Sequence, residues 1–123
     1  YEEVYDYRNI EVTIDEQGIF KVTMNESLAV ALLTNLLKNA FVHNIDEGHI
    51  RITVTKNSIT FRNSGVENPL DKEHIFERFY QGTKKEGSTG LGLAIADSIC
   101  RLQHLSIRYY FEQKEHCFEI SRQ

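Results

Sequence analysis

The sequence predicts an α+β fold, a two-layer α/β sandwich whose mixed, mostly antiparallel sheet is covered by helices on one face. Two observations predict it. Short stretches of alternating apolar and polar residues come in pairs joined by turn residues, and amphipathic helical segments separate those pairs. A doubly wound parallel sheet is excluded, because its strands and helices would alternate strictly along the chain.

Length and composition indicate one globular domain of 123 residues. The net charge of −4 argues against a nucleic-acid partner held by a basic face. No apolar stretch approaches the length of a membrane span, and no signal peptide is evident. Cys100 and Cys117 lack metal-ligand spacing, so we expect buried, reduced thiols. Because the chain starts at Tyr1 rather than at Met, we interpret residues 1–123 as a fragment of a longer protein.

The first elements are predicted as a β-hairpin and a helix. Residues 10–14 and 20–24 alternate in polarity and flank turn residues at 15–18, which is typical of a hairpin. Asn25 is a favourable N-cap for the helix that follows. The helix is expected to bury a wide apolar face, formed by Leu28, Val30, Leu32, Leu33, Leu36, Leu37 and Ala40.

A second hairpin is predicted from residues 50–54 and 59–61, and it ends at the sharp turn Asn63-Ser64-Gly65. Next, a short helix rich in aromatic residues is expected over residues 72–79, capped by Asp71 or a neighbour. Residues 81–88 are polar with glycines near both ends, which is typical of a mobile flap.

The stretch Gly87-Ser88-Thr89-Gly90-Leu91-Gly92-Leu93-Ala94-Ile95 is predicted to open a helix that runs to about Leu102. Strands are expected to follow at residues 105–111 and 117–120. Glycine disfavours helix, yet at a helix start it lets an anion approach unpaired backbone N–H groups and the positive end of the helix dipole. We interpret the stretch as a phosphate cradle. The alternative is an ordinary tight turn capped by Thr89.

Asn35, Asn39 and His43 lie four residues apart and therefore form a row on one side of the first helix. Asparagine is unfavourable inside a helix, because its amide competes for backbone hydrogen bonds. Two asparagines flanked by leucines indicate a polar strip that faces a cavity. The alternative is that both side chains point into water.

A magnesium-bound nucleotide would account for this row, the Asn63 turn and the glycine-rich helix start together. Mg²⁺ takes oxygen ligands and keeps much of its shell as water and phosphate, so the amide oxygen of Asn39 would suffice. Asn63 can accept a hydrogen bond from the exocyclic amine of adenine. Lys84 or Lys85 and the helix start can bind the phosphates.

Two other nucleotide-binding motifs are rejected. Residues 82–89 approach a Walker A loop, but Ser88 stands where that loop needs its lysine. Gly90-Leu91-Gly92 lacks the third glycine of a dinucleotide-binding fingerprint, and no strand leads directly into it.

Four motifs then carry a family resemblance: Asn35–Ala40, Asn63–Gly65, Ile75–Tyr80 and Gly87–Ile95. In this order they resemble the N, G1, F and G2 boxes of the catalytic and ATP-binding domain of sensor histidine kinases. These kinases belong to two-component systems, and the domain belongs to the GHKL ATPase superfamily with the Bergerat fold. The resemblance extends from about Ile10 to Ile120.

The resemblance implies ATP and Mg²⁺ as cofactors. It makes Asn39 the magnesium ligand, places Asn35 and His43 beside the triphosphate, and assigns adenine recognition to Asn63, with Gly65 next to it. The other implied ATP-binding residues are Lys84, Thr89, Gly90, Leu91, Gly92 and Leu93. Residues 81–88 would form the ATP lid, whose base Phe76 and Phe79 would anchor.

The G1 box departs from the family pattern. The family has an aspartate and two glycines there, whereas this chain has Asn63 and only Gly65. An aspartate only accepts hydrogen bonds, while Asn63 must turn its amide oxygen inward, so we expect weaker or less selective adenine binding. The segment between Val66 and the F box is also short, which predicts a thinner wall for the adenine pocket.

The resemblance also implies the reaction. Asn35 stands where ATP-hydrolysing relatives have a glutamate, and an amide cannot act as a general base at neutral pH. The domain would instead position ATP and donate its γ-phosphoryl group to a histidine on a separate dimerisation domain. No histidine here has the acidic, helical context of a phosphoacceptor. The four histidines other than His43 are expected at the surface or partly buried: His49, His74, His104 and His116.

The partners implied are the dimerisation and phosphoacceptor domain of the same kinase and a response regulator. The resemblance further implies a homodimeric parent protein, anchored in the inner membrane, with this domain in the cytoplasm. Two alternatives stay open. One is a degenerate GHKL domain that acts as a nucleotide-binding regulatory module, and the other is a serine kinase of the anti-sigma-factor type.

Overall fold

A computed structural model describes residues 9–77 and 91–123. Five strands form one mixed sheet in the order β1-β2-β3-β5-β4, in which only the β1–β2 pair is parallel. The predicted α+β sandwich is therefore confirmed. In chain order the described elements are β1 (Glu11–Glu16), α1 (Glu26–Val42), β2 (His49–Val54), β3 (Ser58–Asn63), α2 (Gly92–Leu102), β4 (Leu105–Glu112) and β5 (Glu115–Arg122).

Both described helices pack on the same face of the sheet. The main core joins Leu36 of α1, Ile99 of α2 and Phe118 of β5, all of them buried. The opposite face of the sheet is polar and open. It presents Asp15, Arg51, Thr53, Thr60, Arg62 and Glu119. Neither helix in the described ranges is long and apolar enough to cross a membrane.

Helix α1 begins as predicted, since the Asn25 Oδ1 atom accepts a hydrogen bond from Leu28 N at 3.2 Å. The wide apolar face is only partly confirmed. Leu32, Leu36 and Ala40 are buried, whereas Val30 and Leu33 are 59% and 42% exposed. Leu33 remains exposed because it lines an apolar groove of about 320 Å³ between α1 and strands β1 to β3.

The first predicted hairpin is wrong. Residues 17–25 form no strand, and β1 pairs in parallel with β2 after the chain has crossed over through α1. The apolar residues of the expected second strand serve packing instead. Phe20 and Met24 contact the main core, and the guanidinium of Arg122 lies 4.7 Å from the centre of the Phe20 ring. Their alternating pattern therefore reflects packing against the core and not strand pairing.

The remaining elements follow the prediction more closely. The β2–β3 and β4–β5 hairpins are both antiparallel, as expected.

The helix predicted at 72–79 is wrong within the described residues, which form only successive turns over 72–76. There the Asp71 side chain accepts from Glu73 N, and Ile75 N donates to Asp71 O, so one turn closes without propagating.

The two cysteines are buried and unpaired, as predicted. Burial raises the pKa of Cys100 to about 11 and also raises the pKa of Cys117. Both are therefore protonated thiols at neutral pH, which makes them poor nucleophiles and poor metal ligands.

Candidate functional site

The row of polar residues on α1 meets the start of α2. Asn35 Nδ2 donates a hydrogen bond to Ala31 O at 2.8 Å, which leaves its Oδ1 as an acceptor. A Cβ atom placed on Gly92 would lie 3.3 Å from that Oδ1. The N box and the G2 box, far apart in sequence, are thus brought into direct contact.

Asn39 and His43 continue this row toward the end of α1, and both are partly exposed. The Asn39 side chain makes no hydrogen bond with any described residue. His43 is the C-cap of the helix, and its backbone N–H donates to Asn39 O at 3.1 Å. Asn39 is therefore a partly exposed amide one helical turn along α1 from Asn35.

The start of α2 offers backbone donors. Leu91 occupies the N-cap and has no polar side chain to accept from the first turn, and the first helical hydrogen bond runs from Ile95 N to Leu91 O. Leu93 packs its side chain partly against the core, so only its backbone can serve a ligand. The predicted site residues Lys84, Thr89 and Gly90 lie outside the described residues.

The end of β3 carries the most distinctive polar group of the site. Asn63 is 2% exposed, and its Nδ2 donates to the backbone oxygen of Ser64 at 2.8 Å. Its Oδ1 is buried and has no hydrogen-bond partner. Among the described residues it is the one buried side-chain oxygen or nitrogen left unsatisfied. Such an atom costs about 1–3 kcal/mol unless a ligand or a water pairs with it.

Gly65 joins this turn to the end of α1. A Cβ atom on Gly65 would lie 2.9 Å from His43 O and 3.1 Å from His116 Cδ2. The first distance is shorter than real Cβ contacts and the second is unusually tight, so a side chain there would displace the backbone at His43. This close approach holds His43, the last residue of the polar row on α1, next to the Asn63–Gly65 turn.

A buried polar network that the sequence reasoning missed fixes the same turn. Ser64 Oγ donates to Asn44 Oδ1 at 2.5 Å, and it accepts from His49 N at 2.8 Å. Asn44 Nδ2 in turn donates to His49 O at 3.0 Å. Asn44 stands beside His43 in sequence, but its partner Ser64 is on another element, so no local pattern reveals the pair.

Histidine burial is correctly predicted at three positions, since His49, His74 and His104 are exposed. The expectation is wrong for His116, which is only 4% exposed because β5 places it between β3 and β4 in the sheet.

The chemistry of the row suits Mg²⁺ with few protein ligands. Asn39 offers an uncommitted amide oxygen, and the rest of the coordination shell would come from water and phosphate. A separate cluster of Asp71, Glu73 and His74 is exposed. Its Asp71–His74 hydrogen bond of 2.6 Å lowers the pKa of Asp71 and raises that of His74, which accounts for the cluster without a metal.

Comparison with known proteins gives the family of the chain. Residues 24–121 match the family of histidine kinase-, DNA gyrase B- and HSP90-like ATPases. The chain is 42% identical over 84 residues to the sensor histidine kinase RppB of Synechocystis sp., covering 61% of this chain and 18% of that protein. It is 36% identical over 94 residues to the heme sensor protein HssS of Staphylococcus epidermidis, covering 73% of this chain and 21% of that protein.

Solved structures show the same fold. The catalytic domain of histidine kinase ThkA superposes with a TM-score of 0.83 at 26% identity, covering 97% of this chain and 82% of that chain. The chain spans about a fifth of the length of the curated relatives that it matches. It belongs to the family of histidine kinase-, DNA gyrase B- and HSP90-like ATPases, and within that family it is a domain of the sensor histidine kinase type.

Proposed function

We propose that this domain binds Mg–ATP between α1, the Asn63–Gly65 turn and the start of α2. It then donates the γ-phosphoryl group to a histidine on the dimerisation domain of a sensor histidine kinase. The observation that carries the proposal is the buried, unpaired Oδ1 of Asn63. Family membership supplies the class of ligand, and this atom supplies a group in the chain itself that needs a hydrogen-bond donor.

Adenine is the base that satisfies Asn63. Its exocyclic amine donates hydrogen bonds, whereas guanine carries a carbonyl oxygen at the corresponding position. Since Asn63 Nδ2 is already bonded to Ser64 O, the amide cannot turn to offer a donor without losing that bond. We therefore propose that the asparagine keeps adenine selectivity, in contrast to the reduced selectivity that the substitution alone leads us to expect.

The triphosphate would lie along the row on α1. Asn39 would ligate Mg²⁺, His43 and the backbone N–H groups of Gly92 and Leu93 would bind phosphate oxygens, and Asn35 would lie beside the triphosphate. Lys84, Thr89, Gly90 and Leu91 complete the proposed set. Magnesium, when bound, would neutralise charge on the phosphates.

Catalysis by this chain would be positioning. Asn35 cannot take a proton from water at neutral pH, and its Nδ2 is held by Ala31 O. The row therefore orients the triphosphate without activating a water molecule. ATP would persist until a nucleophile from another domain reaches the γ-phosphoryl group.

The partners belong to the longer kinase. We propose a dimerisation and phosphoacceptor domain in the same protein, a homodimeric parent, and a response regulator as the next acceptor. One structural neighbour is described as histidine kinase ThkA in complex with response regulator protein TrrA, which supports the last partner. The relatives' description as sensor proteins supports a cytoplasmic domain in a parent anchored in the inner membrane.

Calorimetric titration with AMP-PNP, with and without Mg²⁺, tests nucleotide binding. We expect magnesium-dependent binding that the Asn39→Ala variant abolishes. Asn57→Ala removes an exposed amide in the β2–β3 turn and should bind like the wild type, which makes it the matched control. No binding at millimolar nucleotide would overturn the proposal for this domain.

Phosphotransfer is tested by adding radiolabelled ATP and the parent's dimerisation domain. We expect label on that domain in an acid-labile, alkali-stable form, as for a phosphohistidine, and none on this chain alone. Nucleotide binding without any transfer would favour the regulatory module instead. Label on a serine of a partner protein would favour the anti-sigma-factor type of kinase.

A further inference from the structure

His116 and Tyr109 form a buried polar relay on the helix-covered face of the sheet. His116 Nε2 lies 2.7 Å from Val66 O, and His116 Nδ1 lies 2.7 Å from the Tyr109 hydroxyl. The same hydroxyl accepts a hydrogen bond from Leu70 N at 3.0 Å. Two side chains from β4 and β5 thus hold both ends of the segment Val66–Leu70.

The direction of every hydrogen bond in the relay is determined. A carbonyl oxygen only accepts, so Nε2 of His116 must carry the proton donated to Val66 O. In a neutral imidazole Nδ1 is then the acceptor, and the Tyr109 hydroxyl donates to it. The hydroxyl oxygen keeps a lone pair for Leu70 N–H. In the protonated form Nδ1 would instead donate to the hydroxyl oxygen, and the hydroxyl hydrogen would lose its acceptor within the relay.

The relay also contacts the Asn63–Gly65 turn, which is proposed to recognise the base. Asn63 is the direct partner of His116 in the β3–β5 ladder. The imidazole lies so close to Gly65 that a Cβ there would be 3.1 Å from Cδ2. Any movement of His116 therefore reaches the residues on both sides of Ser64, one of which carries the unpaired Oδ1.

We propose that His116 and Tyr109 are positioning residues for the nucleotide site, which hold the Asn63–Gly65 turn and the Val66–Leu70 segment in the adenine-selective arrangement. This inference rests on the proposed function. Proton uptake by His116 would place a second donor, Nδ1–H, against the Tyr109 hydroxyl and reverse that hydrogen bond. The site should consequently bind ATP less tightly and less selectively in mild acid.

The surroundings of His116 favour the neutral form. Tyr109 and Phe111 face it from β4, Asn63 from β3, and Val66 from the following segment. Tyr109 is the titratable group among these, and no carboxylate of the described ranges pairs with the imidazole. Burial lowers the pKa of His116, so the relay stays intact at neutral pH.

The test compares ATP and GTP affinities of four variants with the wild type across about pH 7.5 to 5.5, a range that includes the ordinary pKa of histidine. Tyr109→Phe removes the central hydroxyl. His116→Gln keeps a donor toward Val66 O but cannot be protonated. Tyr110→Phe removes a hydroxyl on the other face of β4, and His104→Asn removes an exposed imidazole; these two are the matched controls.

We expect Tyr109→Phe to weaken ATP binding by roughly tenfold and to lower the preference for ATP over GTP, because a buried donor and acceptor lose their partner. The wild type and both controls should bind ATP less tightly as the pH falls, and His116→Gln should lose most of that dependence. Melting curves establish that each variant is folded at the temperature of the titration. A purely structural role would change stability without changing the ATP/GTP ratio or the pH profile.

Two results would overturn the inference by different routes. If wild-type protein fails to bind Mg–ATP at all, the proposed function falls and the inference with it. If the wild type binds while folded Tyr109→Phe and His116→Gln keep its affinity, base preference and pH profile, the inference alone is wrong.

Discussion

A single amide shows how burial turns an ambiguous side chain into a directional one. An exposed asparagine can present either end of its amide to a ligand, but Asn63 is buried and its Nδ2 is committed to Ser64 O. The free end is therefore an acceptor, which is the property that an aspartate would have at this position. Compared with the aspartate of the family pattern, Asn63 lacks a charge but still offers the acceptor that the proposed adenine binding needs.

Replacing Asn63 should weaken ATP binding strongly while changing the stability of the fold only slightly. Asn63→Leu removes both the hydrogen bond to Ser64 O and the unpaired buried oxygen, so we expect a change in the free energy of unfolding within about 1 kcal/mol. ATP binding should weaken by roughly tenfold or more with loss of base preference. Urea denaturation and calorimetric titration of the same preparation measure the two quantities.

Asn44→Leu is the contrasting control, because both ends of the Asn44 amide are hydrogen-bonded to described groups. It should destabilise the fold by about 2–4 kcal/mol, since several buried partners lose their hydrogen bonds. Equal destabilisation by the two substitutions would contradict the assignment of Asn63 Oδ1 as an unsatisfied atom.

At the scale of the elements, three chain segments meet at the Asn44–Ser64 network: the end of α1, the start of β2 and the end of β3. The network leaves no room for a side chain at Gly48. A Cβ atom there would clash with Asn44 Oδ1 and Ser64 Oγ and lie 2.8 Å from Ile45 O. Gly48 thus permits the close approach on which the geometry of the G1 turn depends.

Gly48→Ala should therefore destabilise the domain by about 1–3 kcal/mol, the usual cost of forcing extra atoms into a packed site. The measurement is the urea concentration at the unfolding midpoint, compared between variants that share the same m-value. A changed m-value would indicate that the substitution altered the unfolded state. An alanine tolerated within about 0.5 kcal/mol would show that the network can move aside at little cost.

The first residue of α2 is expected to behave in the opposite way. Gly92→Ala improves helix propensity and, among the described residues, its Cβ meets only Asn35 Oδ1, at 3.3 Å, so stability should change by less than about 1 kcal/mol. Nucleotide affinity should nevertheless fall, because the added methyl group narrows the gap between the N box row and the backbone donors. Unchanged affinity in the titration would argue against a phosphate beside Gly92.

At the scale of the whole molecule, the alternation of apolar and polar residues correctly predicted the elements that depend on single segments of the chain. Helix α1 with its Asn25 cap, the β2–β3 and β4–β5 hairpins and the one-sided covering of the sheet all follow from patterns within single segments. The partner of β1 does not, because the same alternation suits a hairpin or a parallel pair formed after a helical crossover.

The candidate site likewise contains features that residue spacing predicts and features that depend on long-range contacts. The row on α1 could be predicted from residue spacing, and the structure places its first member against Gly92. The orientation of Asn63 follows from its hydrogen bond to the adjacent Ser64 O. The burial of His116 instead depends on Tyr109 and Val66, which come from other parts of the fold. No pattern in one segment reports such contacts, since they arise only when β3, β4 and β5 have paired.

The pH dependence of stability is a property of the whole chain, and two histidines contribute to it with opposite signs. Burial lowers the pKa of His116 in the folded state, so the unfolded chain binds a proton more readily there. Its contribution to stability is complete above the ordinary histidine pKa of about 6.5 and is lost as the pH falls below it. Asp71 raises the pKa of His74, whose contribution is present below that value and is lost as the pH rises.

The contribution of His116 should dominate, because His74 is exposed and its ion pair is screened by solvent. We therefore expect the free energy of unfolding to fall between about pH 7 and pH 5.5, before most carboxylates begin to titrate. His116→Gln should flatten this slope, and His74→Gln should leave it the same or steepen it slightly. Urea titrations at a series of pH values measure the slope directly. A wild-type slope that survives in His116→Gln would show that another group binds the proton, and that the relay stays intact in mild acid.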